Sequence, residues 1–126
     1  MARRQIYTDG APDPIGPYSQ AVFVNGMLFV SGQIALDPFS GALITNSIEK
    51  ETIQVMENIQ AILEAAEMDF SNVVKCSIFL SDIGTFPKVN EAYGKFFGEN
   101  PPARETVEVS KLPRNVNVEI SVIAVR

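Results

Sequence analysis

Two residues of this chain pair naturally with acid–base and anion chemistry, Glu119 and Arg104. Glu119 stands in Val116-Asn-Val-Glu-Ile-Ser-Val-Ile-Ala-Val125. Alternation there puts Val116, Val118, Ile120, Val122 and Ala124 on one strand face and Asn117, Glu119, Ser121, Ile123 and Val125 on the other. A mid-strand carboxylate among apolar neighbours has two readings. It is solvated near a sheet edge, or it is desolvated, with a raised pKa suited to holding and activating water. Arg104 follows a Pro-Pro pair that stiffens its approach, and it opens a strand in phase with Thr106 and Glu108. Its fork fits a substrate carboxylate through two parallel hydrogen bonds, or it closes a surface ion pair with Glu105 or Glu108. Tyr18 and Ser31 read more simply, as packing after a proline-rich loop and as a turn before Gly32. Cys76 alternates with Val74, Ile78 and Leu80 and reads as a buried small hydrophobe, with no cationic cluster to make it a nucleophile.

Composition narrows the chemistry further. The sequence contains no His, which removes Ser-His-Asp and Cys-His sites, His-ligated zinc and any unperturbed base near neutrality. One Cys makes neither an intrachain disulfide nor a zinc cluster and suits a reducing, cytoplasmic setting. The 126 residues carry 10 Lys plus Arg against 15 Asp plus Glu, a net charge of −5 without a basic patch, so nucleic acid and anionic lipid are poor partners. No signal-peptide core follows Arg3-Arg4, and no apolar run is long enough to span a membrane. Residues 1–126 read as one globular domain without repeats or linkers.

The elements that must position these residues follow from turn chemistry and periodicity. A short strand is expected over 3–8. The stretch Gly10-Ala-Pro-Asp-Pro-Ile-Gly-Pro17, with three prolines and two glycines, is an ordered irregular loop that delivers Tyr18-Ser19-Gln20 into a hairpin. Asn25-Gly26 joins Ala21-Val-Phe-Val24 to Met27-Leu-Phe-Val30, because both turn residues accept positive φ. Ile48, Thr52, Val55, Ile59, Ile62, Leu63 and Ala66 recur at helical spacing, with Glu49, Lys50, Glu51, Glu57, Asn58 and Gln60 between them and an Asn46/Glu49 capping box at the start. A strand follows over 72–80, with Val74, Cys76, Ile78 and Leu80 on one face. A second helix spans 82–97, then come a strand over 104–109, a turn over 111–115 and a closing strand over 116–125. The order β-ββ-α-β-α-ββ is an α+β sheet with both helices on one face. The other face is left to pack against copies of the chain, which predicts a homo-oligomer.

These residues form a resemblance. Gly10-Ala-Pro-Asp-Pro-Ile-Gly-Pro-Tyr-Ser-Gln20, Phe29-Val-Ser-Gly-Gln-Ile34, Val55-Met-Glu-Asn-Ile59, Val89-Asn-Glu-Ala-Tyr93, Pro102-Ala-Arg104 and Val118-Glu-Ile-Ser-Val-Ile-Ala124 are similar to the RidA family over nearly the whole chain. These are reactive-intermediate (enamine/imine) deaminases, also known under older names for a translation inhibitor or endoribonuclease. The resemblance implies a chorismate-mutase-like fold and a homotrimer with a central barrel and active sites between subunits. It implies hydrolysis of 2-iminobutanoate and 2-iminopropanoate or 2-aminoacrylate, released by pyridoxal-phosphate enzymes, to 2-oxoacids and ammonia, without a cofactor or metal. Carried onto this chain, Arg104 holds the substrate carboxylate, Glu119 positions and deprotonates water, and Tyr18 joins them. Ser31, Gly32, Asn90 and Thr106 line the pocket.

The chain departs from the family where many members carry Cys two residues after the Arg. Here that residue is Thr106, and Glu105 replaces a smaller neighbour. Attack by water needs no thiol. The rival readings are a non-catalytic module binding small carboxylates or acting as a chaperone, and an RNA-directed endoribonuclease or translation inhibitor. The charge and the missing His count against the latter.

Overall fold

The computed structural model describes residues 2–126. Its strands are β1 (Arg4–Ile6), β2 (Ala21–Val24), β3 (Met27–Gln33), β4 (Val73–Leu80), β5 (Ala103–Glu108) and β6 (Val118–Val125); its helices are α1 (Ile48–Ala65) and α2 (Phe86–Gly94). They form one sheet in the order β1-β2-β3-β6-β4-β5. Only β4 and β5 run parallel; every other neighbouring pair is antiparallel. A parallel pair requires a crossover, and α2 supplies it. The hairpin forms at Asn25-Gly26, whose φ values of 53° and 78° are those a two-residue turn of this kind needs.

Both helices lie on one face, as the patterning implies. The core joins Val55, Ile59, Ile62 and Leu63 of α1 to Leu28, Cys76, Ile78, Leu80, Val118, Ile120 and Val122 of the sheet. The β6 alternation holds throughout, with Val118, Ile120, Val122 and Ala124 buried. The opposite face carries Phe29 and Val107, both about 40% exposed (41% and 42%), and no helix among the described residues covers it.

Four local expectations need correction. The cap of α1 is Ser47 rather than Asn46: Ser47 is extended (φ −154°) and its hydroxyl accepts from the Lys50 amide at 3.1 Å. The Cys76 row of β4 begins at Val73, not Val74, because a bulge between Val73 and Lys75 adds one residue and turns Val74 outward. The second helix is shorter than 82–97. A 3-10 turn over Ile83–Thr85 precedes α2, and Gly94 ends it, after which Phe96 and Phe97 pack on Phe70. Finally, Glu51 and Asn58 lie fully inside rather than on the polar side of α1.

Their burial has a purpose. The Asn58 amide donates to the carbonyls of Ile34 and Leu36 at 3.1 and 3.0 Å, fixing the chain after β3. Glu51 accepts from the backbone amides of Asn117 and Val118 at 2.7 and 3.0 Å and from the Asn117 side chain at 2.8 Å. It thereby ties α1 to the first turn of β6, two residues from Glu119. Removing the carboxylate strands three donors, one buried and two part-buried. Glu51→Ala should therefore lower unfolding free energy by about 3 kcal/mol, against under ~0.5 kcal/mol for the exposed Glu57→Ala, in paired urea titrations.

Candidate active site

Arg104 lies on edge strand β5, paired with Cys76, so it shares the helix-covered face. Its Nη1 donates to Asn90 Oδ1 at 2.7 Å. The guanidinium carbon stands 5.2 Å from the ring centre of Phe86 and 5.1 Å from that of Tyr93. Phe86, Asn90 and Tyr93 are four and three residues apart on α2, hence on one helical face. The two rings and the amide oxygen hold the guanidinium plane while leaving its remaining donors free.

The surface ion pair considered for Arg104 does not form. Glu105 turns to the other face, where it pairs with Lys75 at 2.9 Å and accepts from the Ser77 hydroxyl. Glu108 accepts from the Ile83 amide at 2.9 Å. Among the described residues Arg104 has no ion-pair partner. Thr106 follows on the same side as Arg104, paired with Ile78. Its hydroxyl and that of Tyr93 are buried without hydrogen-bond partners. Cys76 is buried beneath, and desolvation pushes its thiol pKa up despite the Arg104 charge, so it is a packing residue.

Glu119 pairs with Phe79 and occupies the open face. It is half-buried, and desolvation holds its carboxyl above the ordinary 4.5. Of the two readings of this mid-strand acid, the desolvated one fits its place better, because β6 lies inside the sheet and not at its edge. Gly32 sits where β3 slips register between Val30 and Gln33. A Cβ at Gly32 would fall 2.8 Å from Glu119 Oε2, so only glycine leaves the carboxylate its place.

Beside Gly32, the Ser31 hydroxyl donates to the Ser19 carbonyl at 2.6 Å. The half-exposed Tyr18 hydroxyl accepts from the Ile15 amide at 3.3 Å. Tyr18, Ser19 and Ser31 line a cleft of about 560 Å³ together with Arg3, Gln5 and Val22. The structure thus gives two candidate half-sites: on the open face Gly32 abuts Glu119, with Tyr18 and Ser31 in a cleft that neither Gly32 nor Glu119 lines, and at the helix-covered edge stand Asn90, Arg104 and Thr106. Within one chain they lie on opposite faces of the sheet. Phe86 and Tyr93 both pack on the core and face the guanidinium. Their spacing about Asn90 is the signal that a cation sits over that helix face.

A family model described as Endoribonuclease L-PSP matches residues 8–126. The chain belongs to this family, the RidA family. It is 44% identical to the human 2-iminobutanoate/2-iminopropanoate deaminase over 126 residues, covering 100% of this chain and 92% of the human one. It is 53% identical over 127 residues to the protein DfrA of Myxococcus xanthus, covering 99% and 97%. Among solved structures, a putative endoribonuclease of Thermotoga maritima superposes with a TM-score of 0.95 at 50% identity, covering 98% and 97%. TdcF of E. coli with bound serine superposes at 0.94 and 37% identity, covering 98% of each. The six-stranded α+β architecture expected of a RidA-family chain is the one observed.

A carboxyl raised by burial makes stability pH-dependent. The unfolded chain loses the Glu119 proton near 4.5 while the folded protein keeps it longer, so stability falls as pH rises from there through the raised folded value. Glu119→Gln should abolish that fall. Its thermal midpoint should match wild type near about pH 4 and exceed it near about pH 7, whereas a pH-independent offset would contradict the assignment.

Proposed function

We propose that this RidA-family protein hydrolyses small 2-imino acids and their enamine tautomers to 2-oxoacids and ammonia, as a homotrimer whose sites form between copies. The observation that carries this reading is the acid-free guanidinium of Arg104, held between Phe86, Tyr93 and Asn90. Such a group binds a substrate carboxylate bidentately. The names of the human and goat relatives, both 2-iminobutanoate/2-iminopropanoate deaminases at 44% and 45% identity, support the substrate class. The serine bound to E. coli TdcF, itself a small amino acid, agrees with it.

In this mechanism Arg104 of one copy takes the carboxylate, beside Asn90 and Thr106, and the imine carbon faces Glu119 of the neighbour. Glu119, ionised, accepts a proton from water as the water oxygen bonds to the iminium carbon and the C=N π pair moves onto nitrogen. The resulting carbinolamine takes the proton back from Glu119 on its nitrogen. The C–N bond then breaks, the C=O forms, and ammonia leaves with the hydroxyl proton as ammonium. Tyr18, Ser31 and Gly32 wall the open-face half around the water. An iminium is already electrophilic, so orientation and one aimed water suffice, and no step calls for a cofactor. The raised carboxyl of Glu119 makes it a better base once ionised, with an acid limb in kcat/KM above 4.5. The cytoplasm, where pyridoxal-phosphate enzymes release such imines, is the matching compartment.

The uncovered sheet face, with Phe29 and Val107 exposed, supports packing against further copies. Sedimentation at micromolar concentration should give three times the 13.8 kDa chain mass. Arg104→Ala should lower acceleration of imine decay, followed as ammonia release beside an amino-acid oxidase, by about 100-fold through loss of a charge-assisted bidentate contact. Equal acceleration by wild type and variant would overturn the mechanism, and no acceleration by wild type would leave a carboxylate-binding module instead. Mixing unfolded Arg104→Ala and Glu119→Gln chains and refolding them together should restore about a quarter of wild-type activity, since each mixed trimer regains one intact site of three. A site built within one chain would stay dead.

A further inference from the structure

Strand β1 divides its basic and polar residues between the two faces of the sheet. Ile6 pairs with Ala21 under the helices, whereas Gln5 pairs with Val22 on the open side. Arg4 has the parity of Ile6, and its guanidinium carbon lies 5.2 Å from the ring centre of Phe23. Arg3, immediately before the strand, has the parity of Gln5 and lines the same cleft as Tyr18 and Ser31. No carboxylate lines that cleft, and Arg3 has no ion-pair partner among the described residues. The neighbouring polar groups are already engaged with one another: the Gln5 amide donates to the Ser19 hydroxyl at 2.9 Å and the Ser31 hydroxyl to the Ser19 carbonyl at 2.6 Å. The nearest acids in sequence, Asp9 and Asp13, accept from the Tyr7 hydroxyl at 2.9 and 2.5 Å.

A guanidinium left free in a cleft that already holds pocket-lining residues is an unfilled anion contact. The cleft opens on the sheet face that also carries Glu119, since Gln5 and Val22 pair on that side. In the function proposed above, the substrate's α-carboxylate is taken by Arg104 from the neighbouring copy, so Arg3 would meet a different part of the molecule. A chain of net charge −5 repels a dianion unless two fixed cations bracket it. We propose that Arg3 is a second anion anchor and that the site accepts 2-imino acids with a side-chain carboxylate, the imino-dicarboxylates of four or five carbons. This inference rests on the deaminase reading and adds the side-chain class of the substrate.

The test compares two imines generated in place by the matching amino-acid oxidases, one from 2-aminobutanoate and one from glutamate. Arg3→Ala should lower kcat/KM for the dicarboxylic imine about tenfold, chiefly through KM, and change the monocarboxylic one by less than about twofold. Arg3→Lys should restore most of the loss. The same fractional change with both imines, or no change with either, overturns the assignment: the first is what general steering of anions gives, the second what an uninvolved surface residue gives. Binding of 2-oxoglutarate and 2-oxobutanoate, titrated by calorimetry, separates this from the function itself. If neither imine is turned over faster than in buffer, the deaminase reading fails. The anchor is then judged on binding alone, where Arg3→Ala should weaken 2-oxoglutarate about tenfold and spare 2-oxobutanoate. Equal affinities of the two oxoacids for wild type would sink it.

Discussion

Successive side chains of a strand leave opposite faces of a sheet, and residues paired across strands share a face. Cys76 pairs with Arg104 on one side and Val122 on the other, while the neighbouring parity carries Phe79 and, opposite it, Glu119. The guanidinium and the carboxylate are therefore separated by the sheet itself, and no choice of rotamer brings them together. In the proposed assembly a crevice containing both is formed by two sheets, the edge of one against the open face of another. Position of Arg104 on the edge strand suits that arrangement, because an edge can reach a neighbour where a central strand cannot. The parity rule thus links the chemistry to assembly.

Each half-site is held by groups that do no chemistry themselves. Gly32 and the irregular pairing of β3 with β6 make a space that the Glu119 carboxylate fills. Desolvation there, rather than a neighbouring charge, is what moves its pKa. Glu51 anchors the start of the same strand from α1 through three hydrogen bonds. On the other face the aromatic pair of α2 flanks the Arg104 guanidinium, and Asn90 holds its Nη1. The acids that could have neutralised Arg104 are engaged elsewhere, Glu105 with Lys75 and Ser77 and Glu108 with the Ile83 amide.

Much of the architecture was legible in residue patterns because those patterns follow local rules. Alternation placed Val118, Ile120 and Val122 inside, and Asn25-Gly26 located the hairpin. Misplaced details share one origin, competition between local signals that only packing resolves. Asn46 and Ser47 are both good helix caps, and the backbone path selects Ser47. Val74 fits an alternating strand until a bulge reverses its parity. Glu51 and Asn58 look like surface residues of an amphipathic helix, and become core residues because β6 and the chain after β3 offer them unpaired backbone groups.

From the order of residues alone came the element order, the apolar face of each strand, the absence of imidazole chemistry and the family. These depend on intervals of a few residues and on residue types, and both are written linearly along the chain. Only the folded chain decided that Arg104 lacks an acidic partner, that Glu119 is desolvated against Gly32, and that the two lie on opposite faces. Those facts depend on strand order and register across separations as long as the 87 residues from Gly32 to Glu119. No local pattern encodes contact at that range, because hydrogen-bonded pairing between distant strands is chosen by the burial of the whole core.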